Sequence, residues 1–243
     1  MGDRPRLLKE AEAIAARFVA LARIETDEWQ IVKEAKKDDI VVSSHAPLEP
    51  TDDGEAVFKA ETTLDVSPET ALALVSPLLP YRIQWDELLE QLVVGEELAP
   101  STFVVYHVVK AAMKGLVSAR DSLLLVTVAE ADDFYYVAAG SADHPSFPPA
   151  EGRVRAWQQC GGFVLRRVEG SPAQCRFTML FQADLRLGSV GSWLAAMVKP
   201  KLMRQMVKSL VKGARRLAVQ PAHLLPVHKR DANDNSEPSR VVH

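Results

Sequence analysis

The chain has 243 residues, 47% of them apolar and 25% charged, and a net charge of -3. Those proportions exclude a largely disordered chain and a disulfide scaffold, and the acidic balance argues against a nucleic-acid partner. With only Cys160 and Cys175 present, no bridge is demanded and a reducing compartment suits the chain. No apolar run approaches the roughly 18 residues of a membrane span. Met1-Gly2-Asp3-Arg4-Pro5-Arg6 leads into no apolar signal core. Arg6 stands where a myristoylation pattern needs Ser or Thr. The expected setting is the cytoplasm, peripheral at membranes.

In chain order, residues 5–23 predict a helix, with Leu8, Ala11, Ala15, Phe18 and Leu21 at helical spacing. Residues 29–36 and 39–44 read as short strands and 47–54 as a turn. Phe58, Ala60, Thr62, Leu64 and Val66 alternate with Lys59, Glu61, Thr63 and Asp65, which predicts a half-buried strand. Ser67-Pro68 then starts a helix, Ser as cap and Pro at its first position, and a short helical piece is predicted over 86–92. From 101 onward the pattern is strand: 101–109, 122–129, 134–141, 154–159, 163–168 and 175–185. A short helix over 193–198 and a long one over 200–217 close the series, Pro200 opening the second. Segregated elements of this kind predict an α+β fold. The polar stretch 223–243 reads as a disordered tail. The domain reading is therefore a helix over 1–24 belonging to one domain of residues 25–218, and a tail over 219–243.

Several short stretches then resemble one family. Pro80-Tyr81-Arg82-Ile83-Gln84-Trp85-Asp86 comes first, followed by Ser118-Ala119-Arg120-Asp121, His144-Pro145 through Pro148-Pro149, and Gly152-Arg153-Val154-Arg155-Ala156. Gly161-Gly162 and the segment from Asp184 to Leu194 complete the set, in order and with near-family spacing. Together they resemble the StAR-related lipid-transfer (START) domain. The resemblance implies a helix-grip fold, a curved antiparallel sheet wrapped around a long C-terminal helix, with an internal tunnel for one lipid. It implies a non-enzymatic lipid-binding or lipid-transfer protein, without cofactor, working as a monomer in transient contact with an anionic membrane. Two alternatives stay open: a helix-grip enzyme of cyclase or aromatase type, and a lipid sensor acting through a protein partner.

The spacing of Arg82 and Asp86 puts both on one face of a helix, so they can pair. In phosphatidylcholine-transferring members the Arg meets the lipid phosphate and the Asp holds it; the plainer alternative is a structural ion pair near Trp85. At positions of the choline cage this chain carries His107, Ser122 and Gln159, and at positions of the sterol-type ion pair His107 and Val126. Neither constellation is therefore implied. His107 falls in the implied tunnel, either as a partner for a lipid hydroxyl or carbonyl or as a core histidine. Arg120 is a headgroup contact or, as its recurrence with Asp121 suggests, a structural tie for the loop and tunnel wall.

The last helix carries two stripes. Met203, Met206 and Leu210 belong to an apolar stripe expected to cap the tunnel. Lys201, Arg204, Lys208, Lys212 and Arg215 form a basic one, either a solvated face or a surface for anionic headgroups, each cation worth about 1 kcal/mol near such a surface. Before that helix, Leu185 to Leu194 resembles the family's gating loop, with glycines that permit motion. Trp193 there is placed at an interface or, alternatively, in the core. No metal-ligand spacing, nucleophile elbow or phosphate loop is present.

Overall fold

The computed structural model describes residues 3–33, 39–48, 56–115, 117–187, 191–219 and 228–229; the side chains of 33, 113, 191–195 and 228–229 are not described. The predicted turn over 47–54 falls mostly outside these residues, as does the predicted tail apart from Val219, His228 and Lys229.

Helix α1 (Arg4–Ala22) opens the fold, with Pro5 in its first turn. Its buried stripe is Leu7, Ala11, Ile14, Ala15, Phe18 and Leu21, so Leu7 and Ile14, not Leu8, complete the apolar face. Strands β1 (Gln30–Lys33), β2 (Val41–His45) and β3 (Val57–Leu64) follow. In α2 (Pro68–Val75) the Ser67 hydroxyl accepts from the Thr70 amide at 3.3 Å, the cap that the sequence predicts. Then come α3 (Arg82–Trp85), β4 (Leu89–Ala99), β5 (Thr102–Val109), β6 (Arg120–Glu130), β7 (Phe134–Ser141), β8 (Val154–Arg155), β9 (Trp157–Val168) and β10 (Ser171–Asp184). Helix α4 (Gly191–Arg216) is last, before the two-residue β11 (His228–Lys229), which pairs with the end of β6.

One sheet runs in the order β1-β2-β3-β10-β9-β7-β6-β5-β4, every pair along it antiparallel. Alternation sends Phe58, Ala60, Val105, Leu124, Val126, Val137, Phe163, Phe177 and Met179 to one face. There they meet α2, Trp85 and the apolar stripe of α4: Met203, Met206, Val207 and Leu210. The opposite face is covered by α1 through Ala15, Phe18 and Leu21 against Tyr136, Ala138, Cys160 and Val164. This is the α+β helix-grip arrangement, a large curved antiparallel sheet with the C-terminal helix against one face.

Two predicted elements are corrected. The short helix expected over 86–92 is instead a turn followed by β4. That strand lies at the sheet edge with most of its residues exposed, and it carries Glu90, Gly95, Glu96 and Glu97. An edge strand with two wet faces shows no alternation for a sequence pattern to register. The two helices expected over 193–198 and 200–217 are one, with Pro200 inside it. Proline removes a single amide from the ladder, leaving the carbonyl four residues earlier without its helical partner. Burial of Val198, Lys199, Met203 and Met206 on either side carries the helix through.

Candidate functional site

The concave face of the sheet and α4 do not fill the space between them. A cavity lies there, its empty space about 1290 Å3 with the open mouth included. Its walls come from β5, β6, β7, β9 and β10, from the α3–β4 turn, and from Leu202, Met203 and Met206 of α4. Seven of its thirty lining residues are polar: Arg82, Asp86, His107, Lys110, Arg120, Ser122 and Gln158. The rest is aliphatic, aromatic or methionine surface, apart from Gly162 and Pro77.

Arg82 and Asp86 span α3, with Nε to Oδ2 at 3.7 Å. Trp85 between them donates its indole N–H to the Leu74 carbonyl at 2.7 Å, which pins α3 onto α2. Gly213 of α4 lets that helix close on Trp85: a methyl there would lie 2.4 Å from the Trp85 Cβ. Asp86 also accepts from the Leu88 amide at 3.2 Å. Burial disfavours charge on both members of the pair, pulling the Arg82 guanidinium down and pushing the Asp86 carboxyl up, while each opposes the other's shift. The Arg82 guanidinium carbon lies 5.1 Å from the centre of the Phe163 ring. Its Nε is buried and has no hydrogen-bond acceptor in the protein. A cation held this loosely keeps donors for a ligand.

His107 lies on β5 opposite Ser122 of β6. Its Nδ1 is likewise buried without a partner. Burial, assisted by the Arg82 charge and opposed by Asp121, holds the imidazole down to about 3. The ring is neutral at ordinary pH and offers one donor and one acceptor nitrogen.

Arg120 differs from Arg82. Its Nε and Nη2 both donate to the Leu185 carbonyl at 3.2 Å, and its Nη1 donates to the Ser118 hydroxyl at 2.8 Å and to the Ser118 carbonyl. Four of the five guanidinium protons are thus spent on the protein, which favours the structural alternative at this residue. Asp121 points to the other face, fully buried, where it accepts from Arg155 at 2.9 Å, the Ala150 amide at 3.2 Å and the Tyr106 hydroxyl at 3.3 Å.

The structure therefore brings Arg82, Asp86, His107, Arg120, Met203 and Met206 to one cavity. Leu210 is buried in the core but does not line it. The side chain of Trp193 and residues 188–190 lie outside the described residues. Along the basic stripe Lys201, Lys208, Lys212 and Arg215 are exposed and Arg204 is half-buried. Lys212 is 3.9 Å from Glu87 and Arg215 3.8 Å from Asp65. Gln158, not Gln159, faces the cavity, its amide bonded to the Ala139 carbonyl at 2.9 Å. A bulge explains the change: Cys160 pairs with Gln182 and Gln158 with Ala183, which leaves Gln159 as the extra residue. No sequence signal marks that bulge, whereas the place of Phe163 beside Arg82 follows from strand alternation. Among the described residues no group of His, Cys, Asp and Glu could hold a metal ion.

The family model of the START domain matches residues 9–218. The chain belongs to the START domain family. Among START relatives, human StAR-related lipid transfer protein 6 is 27% identical over 166 residues, covering 67% of this chain and 71% of that protein. Bovine StAR-related lipid transfer protein 5 is 27% identical over 177 residues, covering 72% and 80%. The solved human StAR-related lipid transfer protein 5 superposes with a TM-score of 0.78 at 21% identity, over 88% of this chain and 98% of that one. That likeness establishes the START fold. Among the described residues no helix is long and apolar enough to cross a membrane.

Proposed function

We propose that this START chain binds one lipid per monomer in the cavity between the sheet and α4, and carries it between membranes. The observation that supports this reading is the cavity itself: a largely apolar lining with two buried nitrogens, Arg82 Nε and His107 Nδ1, that have no hydrogen-bond partner in the protein. The lipid chain lies along Val105, Leu124, Val126, Met179 and Met206, and the polar end meets Arg82 and His107. An acid–base role for His107 is disfavoured, because a group held near 3 is far from the operating pH that proton transfer needs. Native mass spectrometry of the purified protein, with lipid identification, tests the reading. One intact lipid per chain supports it; chemically altered lipid would turn it into an enzyme. Bound lipid without vesicle-to-vesicle transfer would leave a sensor, and repeated absence of lipid would overturn the reading.

Arg82→Ala is expected to weaken binding of an anionic-headgroup phospholipid about tenfold or more, the scale of one hydrogen bond to a charged group. A neutral sterol should lose much less. Circular dichroism must show the variant folded, because Asp86 loses its partner. Equal losses for both lipids would return Arg82 to a structural role.

Docking is proposed on the exposed cations of α4. Lys201 and Arg204 flank the cavity-lining Leu202 and Met203, so a membrane met there is met beside the site. Changing Lys201, Lys208 and Lys212 together to Glu replaces attraction to an anionic surface by repulsion. Transfer from anionic vesicles should slow severalfold at low salt and recover as salt shortens the Debye length from about 10 Å to about 3 Å. Binding of lipid in detergent should hardly change. Unimpaired transfer at low salt would reduce the stripe to a solvated face.

A further inference from the structure

On the face of the sheet away from the cavity, beyond the C-terminal end of α1, lies a second pocket. Its empty space is about 1020 Å3 with the open mouth included. Residues 21–26 and Trp29 form one side, and outward side chains of β3, β9 and β10 form the other. Strand alternation sets the two sites back to back: Met179 of β10 lines the cavity and Thr178 the pocket. The pocket is polar where the cavity is apolar, and the lipid-binding reading uses none of its charged groups.

Arg166 of β9 and Arg176 of β10 stand directly opposite one another in the ladder, and both line this pocket. Like charges so placed destabilise a sheet. Neither guanidinium is closely neutralised. Arg176 Nη2 lies 3.6 Å from the Glu61 carboxylate and Arg166 Nε 3.5 Å from that of Asp133. Both distances exceed the roughly 2.7–2.9 Å of a charge-assisted hydrogen bond. Glu61 is already committed, at 2.9 Å to Lys59 and at 3.2 Å to the Thr178 hydroxyl. Arg166 also donates through Nη2 to the Ala22 carbonyl at 2.8 Å, and its guanidinium carbon lies 4.5 Å from the centre of the Phe134 ring. Most of both forks is therefore unspent. Trp29, only 6% exposed, walls the same pocket, and its indole N–H has no acceptor in the protein. The Trp29 ring centre is 4.6 Å from Lys59 Nζ and 5.3 Å from the His45 ring, which leaves the N–H as its unmet group. A buried donor of this kind calls for an acceptor from outside the chain.

We propose that this pocket binds a phosphate group between Arg166 and Arg176, with a hydroxyl-bearing remainder that reaches Trp29. A phosphate monoester carries about two negative charges at neutral pH, which matches two facing guanidinium groups; a carboxylate matches one. Planar forks take phosphate oxygens in pairs. Such a group comes from a water-soluble phosphate ester or from a phospholipid headgroup. The site stands whether or not the cavity holds a lipid.

Glycerol 3-phosphate is the soluble probe, with sodium acetate at matched ionic strength as the comparison. In proton–nitrogen spectra of the full chain, the Trp29 indole signal, assigned by its loss in Trp29→Phe, should shift on addition of glycerol 3-phosphate. The Trp85 indole, already bonded to the Leu74 carbonyl, should not shift. By calorimetry Arg176→Gln should weaken binding about tenfold or more, and Arg176→Lys, which keeps the charge without the fork, should restore only part of it. Glu61 keeps Lys59 and Thr178 in either variant, so the fold survives. Cosedimentation with phosphatidylcholine vesicles containing phosphatidic acid tests the second source. Binding of glycerol 3-phosphate alone assigns the soluble ester; vesicle binding that falls severalfold in Arg176→Gln, without binding of glycerol 3-phosphate, assigns the headgroup. Either supports the site. Acetate that shifts Trp29 as far as glycerol 3-phosphate does would overturn the phosphate assignment. Binding that Arg176→Gln leaves intact, or that leaves Trp29 unmoved on adding glycerol 3-phosphate, lies elsewhere and overturns the site, as does no binding of either probe.

Discussion

Gly162→Ala is expected to destabilise the protein by about 4 kcal/mol or more, enough to lower its denaturation midpoint sharply. Gly162 has φ +138, a region L side chains rarely enter, and a methyl there would lie 1.8 Å from the Val137 carbonyl oxygen of the neighbouring strand. The same methyl would press on the Phe18 ring at 3.2 Å. Backbone oxygen cannot move aside without breaking the β7–β9 ladder. The control is Gly170→Ala at the β9–β10 turn, where φ is +73 and nothing lies within 4 Å of the added carbon. That change should cost only about 1–2 kcal/mol. Urea denaturation of the two variants measures the contrast; similar losses for both would mean that the positive φ, not the close approach, sets the cost.

Removing the Asp121 carboxylate by Asp121→Ala is expected to cost about 3–5 kcal/mol, because Arg155 would then be a buried cation with carbonyl partners only. The pair is buried, Asp121 fully and Arg155 nearly so. Arg155 reaches the Phe147 and Pro148 carbonyls as well, so one contact holds β8 and the 142–153 loop against β6. Changing both residues, Asp121→Ala with Arg155→Met, should cost less than the sum of the single changes. A pH dependence follows. Burial alone would raise the Asp121 carboxyl, but Arg155, the Ala150 amide and the Tyr106 hydroxyl hold it below its usual range. A depressed folded-state value means the pair stabilises fully above the unfolded carboxyl value of about 3.9 and loses its contribution as pH falls through the folded value. Asp121→Asn should therefore flatten the acid limb of stability, measured by urea denaturation between about pH 2 and 6. An unchanged acid limb would mean other carboxylates carry it.

Much of the fold could be read from the chain because alternation and capping are local. Phe58 to Leu64, the Ser67 cap and the stripe of α1 each state their own geometry. Edge strand β4 could not be read that way, since exposure on both faces erases the period that marks a strand. Pro200 misled for a related reason: a proline is a local signal for a helix start, while the burial of Val198 and Met203 that carries α4 through it is not local. At the site, Arg82, Asp86 and His107 were visible from their motif and place. The distinction between Arg82, with donors to spare, and Arg120, with four committed, needed coordinates, because Ser118 and the Leu185 carbonyl are sixty-odd residues apart in sequence. The Gly161-Gly162 pair was visible as a motif, but its cause lies across the strand at Val137.

Helix α4 is also made after the sheet that it covers. It leaves the ribosome after every strand from β1 to β10, yet it forms one whole wall of the cavity. Until it emerges, the inward rows of the sheet, from Phe58 and Ala60 to Phe177 and Met179, have no cover but α2 and Trp85. A nascent sheet with that much exposed apolar surface is prone to stick to other chains. Its correct completion depends on a segment that carries Leu, Val and Met on one side and lysine and arginine on the other, so that the last piece closes the core while remaining soluble. A stop anywhere before Met203 removes the closing wall and leaves a sheet folded around nothing, and such a truncated chain should be cleared or aggregate, not persist as a weaker carrier.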